Sequence, residues 1–176
     1  MKILIDTNVL FTYLTKREDK YVTEANVIMD KCVNSELEGF VAFHSLSTVW
    51  YLLRHTLFEQ RIRCIEIICN YLRLSSSDNE LLKKAIKNTD FRDFEDNLQD
   101  CCAQSVGADY IVTANVRDYE GHSVVKAVTP SELLDILDDE DSGSLEVREQ
   151  SVAYEPFGGV SFMKPHWHIA VTRRSA

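Results

Sequence analysis

Four carboxylates stand where a divalent cation can be gathered. Asp6 closes the apolar run Lys2-Ile3-Leu4-Ile5. Asp93 and Asp96 head a helical pattern over residues 93–106, and Asp118 lies six residues past Val112 in the stretch V-T-A-N-V-R-D. These acids come from separate chain segments. Buried together they would repel strongly unless a cation or protons intervened. Hard oxygen donors suit Mg²⁺ or Mn²⁺, and such a site commonly activates a water and stabilises a phosphoryl-transfer transition state. Each acid taken singly has a plainer reading. Asp6 and Asp93 can cap helices, Asp96 can be a solvated first-turn acid, and Asp118 a turn residue beside Tyr119. What singles them out is their joint placement at strand ends and a helix head.

The elements that must position them read as alternating strands and helices over residues 1–137. Residues 2–5, 40–43, 110–112 and 124–128 are short apolar runs that predict strands. Helical spacing falls over 9–14, 22–34, 47–55, 58–72, 80–87 and 93–106. A final helix opens at Thr129-Pro130-Ser131-Glu132, with a capping Thr, Pro at the first helical position and Glu at the capping-box position. Short strands separated by helices predict a parallel sheet covered on both faces, a three-layer α/β fold. In such folds ligands bind beyond the carboxyl ends of the strands, where Asp6 and Asp118 stand.

Composition agrees. The chain has 176 residues, 45% apolar and 27% charged, enough for one domain with a real core. No apolar run approaches the ~20 residues of a membrane span, and Asp6 and Asn8 break the N-terminal apolar stretch, so it does not read as a signal peptide. Five cysteines, with none in a C-x-x-C pair, predict reduced thiols in a cytoplasmic protein. The adjacent Cys101 and Cys102 read as core. With 28 acidic against 19 basic residues the net charge is −9, which disfavours a broad electrostatic surface for nucleic acid. After Leu137 the composition shifts. Asp138-Asp139-Glu140-Asp141 followed by Ser142-Gly143-Ser144 predicts a linker, and residues 138–176 a C-terminal β-rich extension, possible as a hairpin. His166 and His168 share a strand face there, without a third metal ligand nearby.

The segments ILIDTNVL, DFEDNLQDCCAQSVGADYIVTANVRDY and VVKAVTPSELL, in that order and spacing, resemble PIN-domain proteins of the VapC-like toxin branch over about residues 1–137. The resemblance implies a central parallel sheet with helices on both sides and metal-dependent ribonuclease activity on RNA. It also implies a cognate antitoxin protein that blocks the site, and a homodimer. Carried over by position, Asp6, Asp96 and Asp118 match family acids that hold the metal, with Asp93 an accompanying acid. Asn8 matches the polar residue of the first family motif, and Thr113 and Asn115 match loop residues that in the family help hold the acids or the metal-bound water. One departure stands out. The family places a second acid in the helix after the second strand, and HSLSTVWYLLRH contains no carboxylate; the matching position is Thr48, to within one residue. The leading expectation is therefore a PIN-type endoribonuclease. The alternative is a non-catalytic PIN module that binds RNA or an antitoxin. A phosphatase-like or receiver-like domain is disfavoured, because the first strand carries no Asp-Asp pair and no lysine motif follows late in the chain.

Overall fold

The computed structural model describes residues 1–16, 20–75 and 78–148. In chain order the elements are β1 (Lys2–Ile5), α1 (Thr7–Thr15), α2 (Val22–Val33), β2 (Glu38–Ala42), α3 (Phe43–Leu52), α4 (Phe58–Tyr71), β3 (Arg73–Ser75), α5 (Asn79–Lys87), α6 (Phe94–Val106), β4 (Tyr110–Val112), β5 (Ala127–Val128) and α7 (Pro130–Arg148). A single 3₁₀ turn, Val116–Asp118, follows β4.

The strands form one parallel sheet in the order β3-β2-β1-β4-β5. β1 is central, with Leu4 registered against Phe40 on one side and Ile111 on the other. The chain moves outward from β1 through β2 to β3, then returns to β4 on the other side. The order therefore reverses between β1 and β4, and in such sheets ligands bind beyond the carboxyl ends of the strands at that point.

Alternation along β1 divides the core. Ile3 and Ile5 point to one face, where Leu10 of α1, Ile28 and Met29 of α2, Ile68 of α4 and Leu133 of α7 close over them. Leu4 points to the other face, with Phe40, Phe91, Cys102, Ile111 and Tyr119. Each such fully buried side chain contributes roughly 1.5–3 kcal/mol. The three-layer α/β architecture is thus as the sequence predicts. Close approach of the layers makes one glycine necessary: a Cβ on Gly39 of β2 would stand 2.6 Å from Leu72 Cδ2 and 2.7 Å from Cys32 Sγ.

Several boundaries differ from the sequence reading. α3 starts at Phe43, immediately after β2, rather than at Ser47, and β2 begins at Glu38. β3 has no counterpart in the apolar runs; its three residues become a strand because Val41 of β2 pairs with Leu74. β5 is only Ala127–Val128. α7 continues to Arg148, so the acidic and Ser-Gly-Ser stretch expected as a linker is helical. The expected β-rich extension and its two histidines lie outside the described residues. Among the described residues no helix is long and apolar enough to cross a membrane, and all five cysteines are free, with Cys69 the exposed one.

Candidate functional site

The site beyond the carboxyl ends of β1 and β4 is built on Asp6. It occupies the N-cap position of α1, with extended backbone (φ −69°, ψ 153°), and its carbonyl accepts from Val9 and Leu10 N–H at 3.1 Å. A capping aspartate normally turns its side chain onto the second or third N–H of the helix, here that of Asn8 or Val9. Asp6 does not. Its carboxylate turns instead toward the end of β4. Thr113 Oγ1 and Asn8 Nδ2 each donate to Oδ2 at 2.7 Å, and Gln99 Nε2 donates to Oδ1 at 3.2 Å. Only 4% of Asp6 is exposed.

The surrounding polar side chains lock this arrangement. Asn8 also donates to Thr113 Oγ1 at 3.1 Å, while Asn8 Oδ1 accepts from Ala114 N–H at 3.0 Å. Asn115 meets Thr113 Oγ1 through its backbone N–H at 3.0 Å. The loop after β4 is thereby tied to the first turn of α1. The Asp6 and Thr113 backbones sit here because each continues the sheet for one residue: Asp6 N–H donates to Val112 and Thr113 N–H to Val128, both at 3.0 Å.

α6 brings the remaining acids. Asp93 caps it, accepting from Glu95 N–H at 2.8 Å, so the plainer reading of that residue describes its bonding. Glu95 and Asp96, on the first turn, are half-buried. Thr7 Oγ1 donates to Glu95 Oε1 at 3.1 Å. Asp118 is exposed at the end of the 3₁₀ turn, within electrostatic reach of Asp96. Tyr119, next to it, is buried, and its hydroxyl faces the acids. That hydroxyl lies near enough to Asp96 to influence it, yet no acceptor meets it at full hydrogen-bond geometry.

Electrostatics follow from this burial. Desolvation pushes Asp6 from 3.8 to about 7; the Thr113 hydrogen bond opposes the rise, and the charges of Glu95 and Asp96 add to it. Asp96 rises to about 6, again by desolvation first and by the Asp93 charge next. Burial and the neighbouring acids likewise push Tyr119 upward. No lysine or arginine figures among the groups that set these two carboxyls. A second buried acid of α6 shows the contrast. Asp100 Oδ1 accepts from Ser123 Oγ at 2.6 Å and from Val124 and Val125 N–H at 3.0 Å, and Oδ2 accepts from Gln104 at 2.6 Å. Asp100 is a satisfied structural anchor. Among the described residues Asp6, Glu95, Asp96 and Asp118 make no ion pair, and protons or a hard cation would relieve their concentrated negative charge.

The donor set fits a divalent cation in charge and atom type. Its spacing is wider: among the described residues no three Asp, Glu, His or Cys side chains stand close enough to hold one ion as they are placed. Thr48, expected to mark the position of the absent acid, directs its hydroxyl to the His44 carbonyl of its own helix at 3.5 Å. The α3 residue that joins the network is Ser45, fully buried, with Oγ 3.0 Å from Thr7 Oγ1 and accepting from Gln99 Nε2 at 2.9 Å.

Sequence reading passed over Thr7, Glu95 and Gln99. Glu95 and Gln99 are four apart, and Asp96 and Gln99 three apart, so one face of α6 carries all three. That spacing was the available signal.

Residues 2–117 match the family model of the PIN domain. In fold the chain is similar to VapBC-1 from nontypeable Haemophilus influenzae (TM-score 0.57, 17% identity, 74% of this chain and 99% of that one). It is also similar to VapBC2 from Rickettsia felis bound to a promoter DNA fragment (0.56, 14%, 73% and 98%) and to DNA-bound VapBC from Salmonella typhimurium (0.54, 15%, 74% and 98%). No curated protein matches significantly.

Proposed function

We propose that this chain, which belongs to the PIN-domain family, is a metal-dependent endoribonuclease hydrolysing phosphodiester bonds of single-stranded or structured RNA, and the toxin of a toxin–antitoxin pair. The observation that carries the reading is Asp6: a buried carboxylate at the reversal point of the sheet, tying the first turn of α1 to the end of β4 and facing Glu95 and Asp96. Asp6, Asp96 and Asp118 would hold Mg²⁺ or Mn²⁺, which when bound supplies a more acidic water and stabilises charge on the phosphate.

The chain's own residues do the positioning. Thr113, Asn8 and Gln99 fix both oxygens of Asp6, so its remaining lone pairs have a set direction. Asp93 holds the first turn of α6 in place through its cap, and with it Asp96. Tyr119, buried in the core beside Phe91, brings its hydroxyl to Asp96. Asn115 sits on the exposed rim beside Asp118.

As partners we infer the RNA substrate and an antitoxin protein; the VapBC structures above support the latter. A homodimer and a cytoplasmic location complete the reading, the five free cysteines being consistent with a reducing compartment. The absence of any carboxylate on α3, together with the wide spacing of the acids, favours a second reading. In it the chain is a non-catalytic module that binds RNA or an antitoxin.

The purified chain, incubated with end-labelled single-stranded RNA, separates the two. Cleavage that needs Mn²⁺ or Mg²⁺ and is lost in Asp6→Asn and Asp96→Asn supports the nuclease. RNA retention without cleavage in either metal puts the binding module in its place.

A further inference from the structure

We propose that single-stranded RNA runs from the site along the exposed face of α3, its bases stacking on Phe43 and Tyr51 and its phosphates meeting Arg54. The inference rests on the reading of RNA as the substrate.

α3 starts at the site and leads away from it. Its first turn holds Ser45, fully buried, with Oγ 3.0 Å from Thr7 Oγ1, which itself lies 3.1 Å from Glu95 Oε1. Two residues earlier stands Phe43, the first of the helix, and it is 64% exposed. Phe43, Ser47 and Tyr51 follow at intervals of four, so they share one face. All three are exposed, Tyr51 to 63%. Arg54 closes the row just past the helix end. Its Nη1 donates to the Tyr51 carbonyl at 3.3 Å, and its guanidinium stands 4.5 Å from the centroid of the Tyr51 ring. The ten residues of α3 make this row about 15 Å long.

The chemistry of the face points to its occupant. Beside Tyr51, the Trp50 ring lies 3.7 Å from the Arg61 guanidinium, and Phe58, itself exposed, meets Trp50 edge to face at 5.7 Å. Aromatic surface left in water on this scale marks an interaction site. A ring face accepts any base, and a guanidinium held over a ring keeps N–H groups for a phosphate. Charge agrees. Residues 43–63 carry Arg54, Arg61 and Arg63 against Glu59 alone, in a chain whose net charge is −9. None of these arginines makes an ion pair among the described residues. Lys83 and Lys84 of α5, by contrast, already meet Glu80 and Gln104. A polyanion drawn toward a cluster of acids needs such a local attraction beside it. A protein partner would use Trp, Tyr and Arg as well. What favours RNA is that the row begins at the site and that its cations are unpaired.

Fluorescence anisotropy of a short, unstructured, labelled RNA with the full chain, in chelator so that no strand is cut, tests the route. Phe43→Ala and Tyr51→Ala should each weaken binding on the order of tenfold, whereas Phe43→Trp, which keeps a ring, should not. Arg54→Gln should lower the slope of log affinity against log salt by about one, a change that lost packing alone does not produce. A fully paired duplex, whose bases cannot splay, should be indifferent to Phe43→Ala. Thermal unfolding checks each variant. Unchanged affinity and salt slope in variants of a chain that binds RNA overturn this inference and leave RNA as the ligand. Dimer lost in Tyr51→Ala by sedimentation, with RNA affinity kept, also overturns it and makes the face a protein interface. A wild type that binds no RNA, with or without Mg²⁺, overturns the RNA reading and this route with it.

Discussion

Burial of Asp6 ties the stability of the metal-free protein to pH in an unusual direction. A carboxyl normally gains stability from folding as it ionises; here the ionised form is the one that burial penalises. With the group at 3.8 when unfolded and about 7 when folded, the native state holds a proton that the unfolded chain has released throughout that interval. The stability from this proton is present near and below pH 4, falls as pH rises, and is gone above about pH 7. Across the two decades from pH 5 to 7, at ~1.4 kcal/mol per decade, the loss is about 3 kcal/mol. That is a large fraction of the 5–15 kcal/mol typical of a domain. Asp96, raised to about 6, acts in the same direction. His44, lowered by burial, acts in the opposite one: its contribution is lost as pH falls below about 6.5. The difference between wild type and Asp6→Asn cancels both. Urea unfolding followed by far-ultraviolet circular dichroism, in chelator at half-unit steps from pH 5 to 8, measures it. The wild-type curve should fall by about 3 kcal/mol more than the Asp6→Asn curve. Parallel curves, or a wild type more stable at pH 8 than at pH 5, would refute the reasoning. Mn²⁺ at about 100 times its Kd and pH 8 should then return about 2.7 kcal/mol to wild type and nothing to the variant.

Other substitutions probe separate links. Gly39→Ala forces Leu72 and Cys32 to give way and should cost roughly 1–3 kcal/mol in urea unfolding, with Mn²⁺ binding by the folded fraction unchanged. Asp100→Ala strands the Val124 and Val125 N–H groups, while the Ser123 hydroxyl keeps the Val125 carbonyl as acceptor; a loss of about 3 kcal/mol is expected, again without loss of Mn²⁺ affinity. Thr48 lies one turn from Ser45 on the same side of α3. Thr48→Glu should therefore tighten Mn²⁺ binding in calorimetric titration, and an unchanged affinity would place residue 48 outside the site.

The sequence by itself determined the layers and the end of the sheet where chemistry belongs. Period and burial are local properties, so Lys2–Ile5 and Tyr110–Val112 read as strands and Phe94–Val106 as a helix from their own residues. The capping box at α7 was equally legible: Thr129 N–H donates to Glu132 at 2.7 Å, and Glu132 N–H to Thr129 Oγ1 at 3.2 Å. Both partners lie within four residues, and nothing distant competes for them. β3 was hidden because Arg73-Leu74-Ser75 has no pattern of its own and becomes a strand through pairing with β2. The acids divide the same way. Asp6 and Asp93 both stand at N-cap positions, and the residues beside them cannot tell a capping carboxylate from one turned away. What turns Asp6 is Thr113, 107 residues along the chain, and Gln99, 93 residues along it. Hydrogen bonds of that span exist only once the sheet has set β4 beside β1 and laid α6 across them. For that reason the roles of Thr7, Ser45, Glu95 and Gln99 were decided by the tertiary structure, where buried polar groups must find partners wherever the fold has put them.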